Sequence, residues 1–145
     1  MFSHHNQMKH NGTIEGRIAT RMARMKSPVL LREDFEDLGG YDQVGRALLA
    51  LIRKGKLIRI GYGLYAKTKV SSLTGKILPV ESLPDLAKKA LSRLGVKVVQ
   101  TKAEKDYTEG RSTQVPTGRM IGIRGRVYRK ISYNGTRIYY DRITR

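Results

Sequence analysis

The fold of the first half of the chain is decided by the stretch YDQVGRALLALIRKGKLIRIGYGLYA, residues 41–66. Its first part places apolar residues at the spacing i, i+3, i+4, i+7, i+8, which is typical of one face of an amphipathic helix. These residues are Val44, Ala47, Leu48, Leu51 and Ile52. Gly55 follows where the end of a helix favours a left-handed residue. We therefore predict a helix that stops at Gly55.

The second part of this stretch predicts a tight hairpin. A short apolar run over 57–60 is followed by the turn Gly61-Tyr62-Gly63 and by a second strand from Leu64. A helix with a basic outer face, followed at once by a basic hairpin, is the element order of a winged helix-turn-helix. In that fold the helix enters the DNA major groove and the hairpin, or wing, touches the DNA backbone. The predicted contacts are Gln43, Arg46, Arg53 and Lys54 on the recognition helix, and Lys56, Arg59 and Tyr62 on the wing.

The residues before this stretch complete the predicted domain. Thr13 can cap a helix whose apolar residues recur on one face down to Ser27-Pro28. An apolar trio over 29–31 predicts a small strand, and 32–38, with acidic residues in its first turn, predicts a short helix. The winged domain is thus expected over 13–69. Three arginines on the flank of the first helix, Arg17, Arg21 and Arg24, are predicted phosphate contacts.

The second half predicts a smaller, basic α+β domain over 84–145, joined to the first by a connector over 70–83. Ser82 can cap a helix with Pro84 in its first turn. Strands are expected over 96–99 and 119–123, and one turn of helix within 101–110. Asn134-Gly135 is a type I′ turn signal and predicts an antiparallel hairpin over 126–143. Its expected cross-strand pairs are Ile131 with Ile138, Arg129 with Tyr140, and Val127 with Arg142.

This last region is strongly basic and rich in tyrosine. Residues 119–145 hold eight Lys or Arg and one acidic residue. The predicted patch consists of Arg124, Arg126, Tyr128, Lys130, Arg137 and Tyr139. Tyrosines among cations are typical of surfaces on which bases of single-stranded nucleic acid stack. Ordinary cross-strand packing, in which rings cover the aliphatic parts of Arg and Lys, explains the same pattern. An acidic protein surface is a third reading of the charge.

The composition limits the class of protein. The chain has 145 residues, no Cys, and 29 Lys and Arg against 12 Asp and Glu, a net charge of +17. Such a charge indicates a polyanionic partner, with nucleic acid first and a membrane surface less favoured. The absence of Cys fits a reducing cytoplasm, and the apolar runs are too short to span a membrane. We expect a cytoplasmic protein that has no membrane contact.

The sequence offers few groups for catalysis, metal or cofactor binding. All three histidines, His4, His5 and His10, lie in a lead-in over 1–12 that shows no periodicity and is expected to be flexible. The acidic residues cluster at a helix start, where they compensate the helix dipole. Gly61-Tyr62-Gly63 precedes no helix, so it is no dinucleotide-binding loop. We expect no enzyme, no metal site and no cofactor.

Several short motifs resemble the winged N-terminal domain of AbiEi-type antitoxins. They are Ile14-Glu15-Gly16-Arg17-Ile18, Phe35-Glu36-Asp37-Leu38-Gly39, Ala47-Leu48, Leu51-Ile52-Arg53-Lys54-Gly55, Ile58-Arg59 and Gly63-Leu64-Tyr65. The last of these is the most specific. Ser112-Thr113-Gln114-Val115-Pro116 also resembles a segment of small, stand-alone members of this group. The resemblance implies a repressor of its own operon that counters a nucleotidyltransferase toxin.

Two main hypotheses follow. The first is a sequence-specific, DNA-binding transcriptional regulator, the antitoxin of an AbiE-like system, with double-stranded DNA and a nucleotidyltransferase-type toxin as partners. The second is a module that neutralises or adapts an acidic toxin or nuclease through the basic second half. RNA binding through the tyrosine-rich sheet is a further alternative. Winged regulators are often homodimers on symmetric DNA, but the sequence shows no heptad repeat that would indicate a dimer helix.

Overall fold

The computed structural model describes residues 12–116, 118–127 and 129–144. They form two compact units that divide between Val80 and Glu81. The described residues contain four α-helices, one 3-10 helix and nine β-strands, most of them paired antiparallel, so the predicted α+β class is confirmed. Almost all of the predicted lead-in over 1–12 lies outside the described residues, as does Tyr128 of the predicted basic patch.

The helices of the first unit begin and end close to the predicted residues. Helix α1 spans Ile14–Arg24, and the Thr13 hydroxyl caps it by accepting a hydrogen bond from the Gly16 N–H at 2.9 Å. A 3-10 helix spans Arg32–Leu38, and helix α2 spans Tyr41–Arg53. Gly55 lies just beyond α2 with a φ of +75°, the left-handed conformation that its position predicted.

The strands of the first unit form one antiparallel sheet. Strand β1 spans Val29–Leu31, β2 spans Leu57–Gly61 and β3 spans Leu64–Val70. Strand β3 lies between β1 and β2, so the spatial order is β1-β3-β2. The β2–β3 hairpin turns at Tyr62 and Gly63, and Gly63 takes a φ of +66°. The predicted hairpin and the predicted small strand are therefore confirmed.

Part of the predicted connector over 70–83 is instead an element of this sheet. Strand β4 spans Ile77–Pro79 and pairs antiparallel with the end of β3, so that Val70 faces Ile77. The side chain of Ile77 lies against Gly55, where an added Cβ would meet it at 3.2 Å. Strand β4 thus belongs to the first unit, because its backbone forms hydrogen bonds with the free edge of β3.

The core of the first unit is formed by the apolar faces that the sequence spacing indicated. Phe35, Ile18, Leu30 and Leu48 are fully buried, and Val44 nearly so. They pack together with further residues from α1, α2 and the sheet, namely Met22, Ala47, Leu51, Leu57 and Tyr65. Since the inner face of α2 is occupied in this way, its opposite face is left exposed.

The second unit packs a helix on a small sheet. Helix α3 spans Leu83–Arg93, capped by the Ser82 hydroxyl, and helix α4 spans Lys102–Thr108, capped by Thr101. Strand β5 spans Lys97–Val99, β6 spans Met120–Arg124 and β9 spans Tyr139–Arg142, with β6 in the centre. Buried side chains of α3 and β6, including Leu86, Leu91, Ile121 and Ile123, form the core.

The prediction of a long hairpin over 126–143 is wrong. The Asn134-Gly135 turn does form, with positive φ at both residues, but it joins only β7, Ser132–Tyr133, to β8, Thr136–Arg137. After Ile138 the chain leaves this hairpin and β9 pairs parallel with β6.

Two of the expected cross-strand pairs therefore do not form, because one residue of each pairs with β6 instead. Arg142 faces Ile123 rather than Val127, and Tyr140 faces Ile121 rather than Arg129. The Tyr140 hydroxyl still donates a hydrogen bond to the Arg129 carbonyl at 2.8 Å. Only Ile131 and Ile138 meet as predicted, through a backbone hydrogen bond of 3.0 Å. Both of these isoleucines are buried, which explains why that pair is kept.

Candidate nucleic-acid interface

The outer face of α2 carries a mixed stripe of charged and apolar side chains. Asp42, Arg46, Leu49 and Arg53 are exposed, and Gly45 lies among them. Their spacing of three, four and seven residues puts them on one side of the helix. Leu49 is 45% exposed although the inner face of the same helix is almost completely buried. This stripe is available to a partner.

A depression of about 430 Å³ lies on this stripe. It is lined by Arg32, Tyr41, Asp42, Gly45, Arg46 and Leu49. A Cβ added at Gly45 would lie 2.8 Å from Nη2 of Arg32, which is closer than real Cβ contacts allow. Glycine at this position therefore lets the Arg32 side chain lie across α2.

A chain of contacts links this depression to the β2–β3 turn. The Arg32 guanidinium stacks on the Tyr41 ring, with Cζ 4.1 Å from the ring centroid. The hydroxyls of Tyr41 and Tyr62 are 3.1 Å apart, and this hydrogen bond is the main reason why the pKa of Tyr41 is raised above 10. The backbone N–H of Arg32 donates to the Gly63 carbonyl at 3.1 Å. The helix and the turn are thus held together on their exposed side.

Arg59 extends this row of groups along the hairpin. Its guanidinium lies 6.0 Å from the centroid of the Tyr62 ring, and its Nε donates to the Gly61 carbonyl at 3.3 Å. Tyr62 is 67% exposed. The predicted wing residues Arg59 and Tyr62 are therefore next to one another, beside the outer face of α2. We call the outer stripe of α2 together with Arg32, Arg59 and Tyr62 the α2–turn surface.

Three other predicted contact residues lie outside this surface or have a structural role. The Gln43 side-chain oxygen accepts a hydrogen bond from the Gly40 N–H at 2.9 Å, which caps α2. Lys54 forms an ion pair with Glu15 of α1. Lys54 and Lys56 line a separate groove of about 600 Å³ with residues of α1 and β3. The structure therefore leaves Arg46 and Arg53 on the outer stripe of α2 and places Lys54 and Lys56 beside α1.

The three predicted phosphate contacts on α1 differ in their surroundings. Arg21 forms a bidentate ion pair with Asp37, at 2.6 and 2.9 Å, and also donates to the Asp34 carbonyl at 2.7 Å. The Arg21 hydrogen bond lowers the pKa of Asp37. Arg17 and Arg24 are exposed beside it and line a shallow cleft. Arg21 thus ties α1 to the 3-10 helix.

The predicted basic patch of the second unit is not one face of one sheet. Arg124 ends β6, Arg126 and Lys130 lie between strands, and Arg137 belongs to the short hairpin. All four are exposed. Tyr139 lies in β9, with its ring centroid 5.5 Å from Cζ of Arg137. Tyr128 lies outside the described residues. In β9, burial raises the pKa of the Tyr140 hydroxyl.

Apart from Arg46, the residues that shape the depression are not among the predicted contacts. Arg32 lies in the predicted short helix over 32–38, and Tyr41 and Leu49 have no predicted role. One signal was present, because glycine inside a helix costs about 0.5–1 kcal/mol relative to alanine and therefore indicates a packing or functional requirement. Gly45, at the middle of a strongly amphipathic helix, is such a residue.

The described residues show no group of three or more His, Asp or Glu side chains that could hold a metal ion. The three histidines considered in the sequence analysis lie outside them. A cavity of about 380 Å³ in the second unit is lined by Asp106, Asp141, Ser112 and Gln114 among others. Asp106 is already paired with Arg111 at 2.9 Å. Over these same residues, every helix is too short or too polar to cross a membrane.

Comparison with protein-family models places the chain in a family. A model described as a family of unknown function, DUF6088, matches residues 17–144, which include nearly all of both units. The chain belongs to the DUF6088 family. No curated protein and no solved structure matches this DUF6088 chain. Its function therefore has to be argued from the α2–turn surface and from the charges of the second unit.

Proposed function

We propose that this DUF6088 protein is a sequence-specific DNA-binding regulator whose first unit is a winged helix-turn-helix. The element order supports this proposal: α1, β1, the 3-10 helix, α2 and a hairpin, with sheet order β1-β3-β2. The observation that carries it is the α2–turn surface. There an exposed helix face with Arg46 and Arg53 is joined to the hairpin turn by the Tyr41–Tyr62 hydrogen bond.

In this proposal α2 lies in the major groove and the hairpin reaches the neighbouring backbone. Arg46, at the centre of the exposed stripe, reads a guanine, since an arginine fork matches the two acceptors of that base. Arg53, Arg59 and Tyr62 contact phosphates or sugars and fix the register of the protein. Arg17 and Arg24 add phosphate contacts, whereas Arg21 and Lys54 act chiefly within the fold through their ion pairs.

Selection from a random-sequence duplex library, followed by fluorescence anisotropy at two salt concentrations, tests this function. We expect an enriched motif and an affinity that falls steeply with salt. Arg46→Ala should weaken binding to that motif by about 1–3 kcal/mol, or about 5- to 150-fold, and relax the preference at one base pair. The control Lys69→Ala removes an exposed charge from β3 and should change affinity far less.

Failure to enrich any motif would contradict the proposal. So would an Arg46→Ala protein that binds the enriched duplex as well as Lys69→Ala does. Preferential binding of single-stranded RNA over the duplex in direct competition would favour the RNA-binding alternative instead.

We also propose that the second unit serves as the partner-binding part of an antitoxin. Glu81 to Arg145 contains 15 Lys and Arg against 6 Asp and Glu, a net charge of +9. The exposed cations Arg124, Lys130 and Arg137 lie on this unit. They favour an acidic protein surface, for which a nucleotidyltransferase-type toxin is the candidate that the resemblance implies.

Co-expression of the full chain with a nucleotidyltransferase encoded beside its gene tests this role. We expect a complex that co-purifies and restores growth. The double variant Arg124→Glu/Arg137→Glu should lose the complex while it keeps the affinity for the enriched duplex, since both substitutions lie outside the first unit. A toxin that remains active with the parent chain, or a complex unaffected by the double variant, would contradict the proposal.

A further inference from the structure

The depression on α2 has walls of two chemical kinds. Arg46 and Arg32 supply cationic groups, while Leu49 and the Tyr41 ring supply apolar surface. The Arg32 guanidinium lies over Gly45 between them. Leu49 is 45% exposed and Tyr41 is 64% exposed. These two side chains therefore offer apolar surface to a partner on an otherwise polar stripe.

The walls are fixed before any partner arrives. Tyr41 is held from one side by the Arg32 guanidinium, at 4.1 Å, and from the other by the Tyr62 hydroxyl, at 3.1 Å. Nη1 of Arg32 is buried and has no hydrogen-bond partner among the described residues, so this nitrogen is withdrawn from solvent. Arg32 therefore supports the ring and forms a wall, rather than extending outward as a mobile phosphate contact.

A DNA phosphate does not suit this depression. The Asp42 carboxylate offsets one of the two positive charges that line it, and Leu49 would remove solvent from the phosphate oxygens without replacing their hydrogen bonds. A base edge fits better. Among the groups that the four base pairs present in the major groove, only the 5-methyl of thymine is apolar.

We propose that the depression on α2 receives a thymine 5-methyl group, which packs on Leu49, beside the base read by Arg46. This inference rests on the proposed DNA-binding function and names the base that its recognition helix selects. The exocyclic amino group of cytosine or adenine at the same place would lose its water against Leu49. Thymine is therefore favoured by its methyl contact with Leu49, and the other three bases make no equivalent contact.

Single thymine-to-uracil replacement in the enriched duplex tests the inference with the unaltered, full-length protein. The replacement deletes only the methyl group. At one thymine position of the motif we expect affinity to fall about fourfold, the effect of exposing one methyl group to water. Uracil at the other thymine positions should bind as thymine does.

Two variants locate the effect. Leu49→Ala should bind the thymine and uracil duplexes equally, while Leu49→Met should keep the difference. Leu73→Ala truncates a leucine that is 94% exposed elsewhere in the first unit, and it should behave as the parent protein does. Since Leu49 is half exposed, its truncation should leave the fold intact, which circular dichroism can verify.

Gly45→Ala provides a test in which stability and affinity move in opposite directions. The new Cβ would displace the flexible end of Arg32, and hence release Tyr41, so the fourfold preference for thymine should approach one. Thermal stability should stay equal or rise, because alanine is the better helix former. Misfolding would instead lower both the thermal stability and the affinity for the duplex.

The outcomes separate the two proposals. An enriched motif that is bound equally with thymine or uracil at every position overturns the inference and leaves the DNA-binding function standing. A Leu49→Ala protein that keeps the parent's thymine preference also overturns it. A library that yields no motif overturns both.

Discussion

The two units carry nearly the same net charge but use it differently. Residues 1–80 have a net charge of +8 and residues 81–145 of +9. In the first unit the ion pairs join separate elements, because Arg21 ties α1 to Asp37 of the 3-10 helix and Lys54 at the end of α2 pairs with Glu15 of α1. Because Arg21 and Lys54 are engaged in these pairs, the candidate interface of the first unit is centred on the α2–turn surface.

Among the described residues of the second unit, Lys88 and Glu104 join α3 to α4 at 3.9 Å, while other ion pairs are local in sequence and lie on the helical side. Arg111 pairs with Asp106 and Glu109, and Lys89 pairs with Glu81. Beyond residue 118 the sequence has one acidic residue, Asp141, for eight cations. Net charge alone therefore does not locate a binding surface. The positions of the acidic residues are more informative, since they determine which cations are engaged in ion pairs within the protein.

The largest expected effect tests whether the two units are stable separately. Phe35→Ala empties a fully buried position in the first core and should cost that unit about 3–5 kcal/mol. Hydrogen exchange followed by mass spectrometry should then show rapid exchange in α1 and α2, with α3 and β6 still protected. Phe35→Leu, which leaves a smaller cavity, should show a smaller change. Equal loss of protection in α3 would mean that the units unfold together.

The second effect concerns the centre of the second sheet. A Cβ on Gly122 would lie 2.5 Å from the Val99 carbonyl oxygen and 3.0 Å from atoms of Gln100, all of them backbone. Gly122→Ala should therefore destabilise the second unit by about 1–3 kcal/mol, as overpacking does elsewhere. Chemical denaturation and hydrogen exchange measure it. Met120→Ala, at a half-exposed position on the same strand, is the control, and an equal effect there would refute the close approach.

A smaller effect is expected when cations of the two units are removed and the salt dependence of DNA binding is compared. Arg53→Ala should lower the slope of log affinity against log salt by about one, because one phosphate contact is lost. Arg124→Ala removes an exposed charge from the second unit and should leave the slope nearly unchanged. Anisotropy titrations at four salt concentrations would give both slopes. If Arg124→Ala lowered the slope as much as Arg53→Ala, the second unit would also contact the duplex.

The smallest effect is the pH dependence of the Arg21–Asp37 pair. Because the pKa of Asp37 is lowered from 3.8 in the folded protein, the pair stabilises the fold above that value and its contribution disappears as pH falls through the lowered value. Asp37→Asn should reduce the urea midpoint at about pH 7 and have less effect at about pH 3. Glu36→Gln, at an exposed neighbour, is the control. An Asp37→Asn effect that is the same at both pH values would exclude an ionic origin.

The helix ends and tight turns of both units could be predicted because their signals are local. Thr13 and Ser82 cap the helices that they were expected to cap, and Gly55 takes the left-handed conformation that ends α2. Each of these signals depends on residues no more than four positions apart. The same holds for the Asn134-Gly135 turn, which forms as its dipeptide indicates.

The remaining features depend on residues that are distant in sequence. Strand β9 pairs with β6, about twenty residues earlier, and no pattern within either strand identifies that partner. The depression likewise depends on Arg32 crossing to Gly45 on another element. The expected contact residues Gln43 and Lys54 have the right chemistry for DNA, but a helix cap and an ion pair engage them. Charge spacing alone cannot reveal such competition.

The parallel pairing of β6 with β9 also sets the order in which the protein takes shape during synthesis. The first unit has all of its strands once residue 79 has emerged, whereas the sheet of the second unit cannot close before Arg142 is made. At about 5–20 residues per second, the ribosome needs about 3–13 s for the interval. For that period the nascent chain presents a finished α2–turn surface on a protein whose second half has not yet folded.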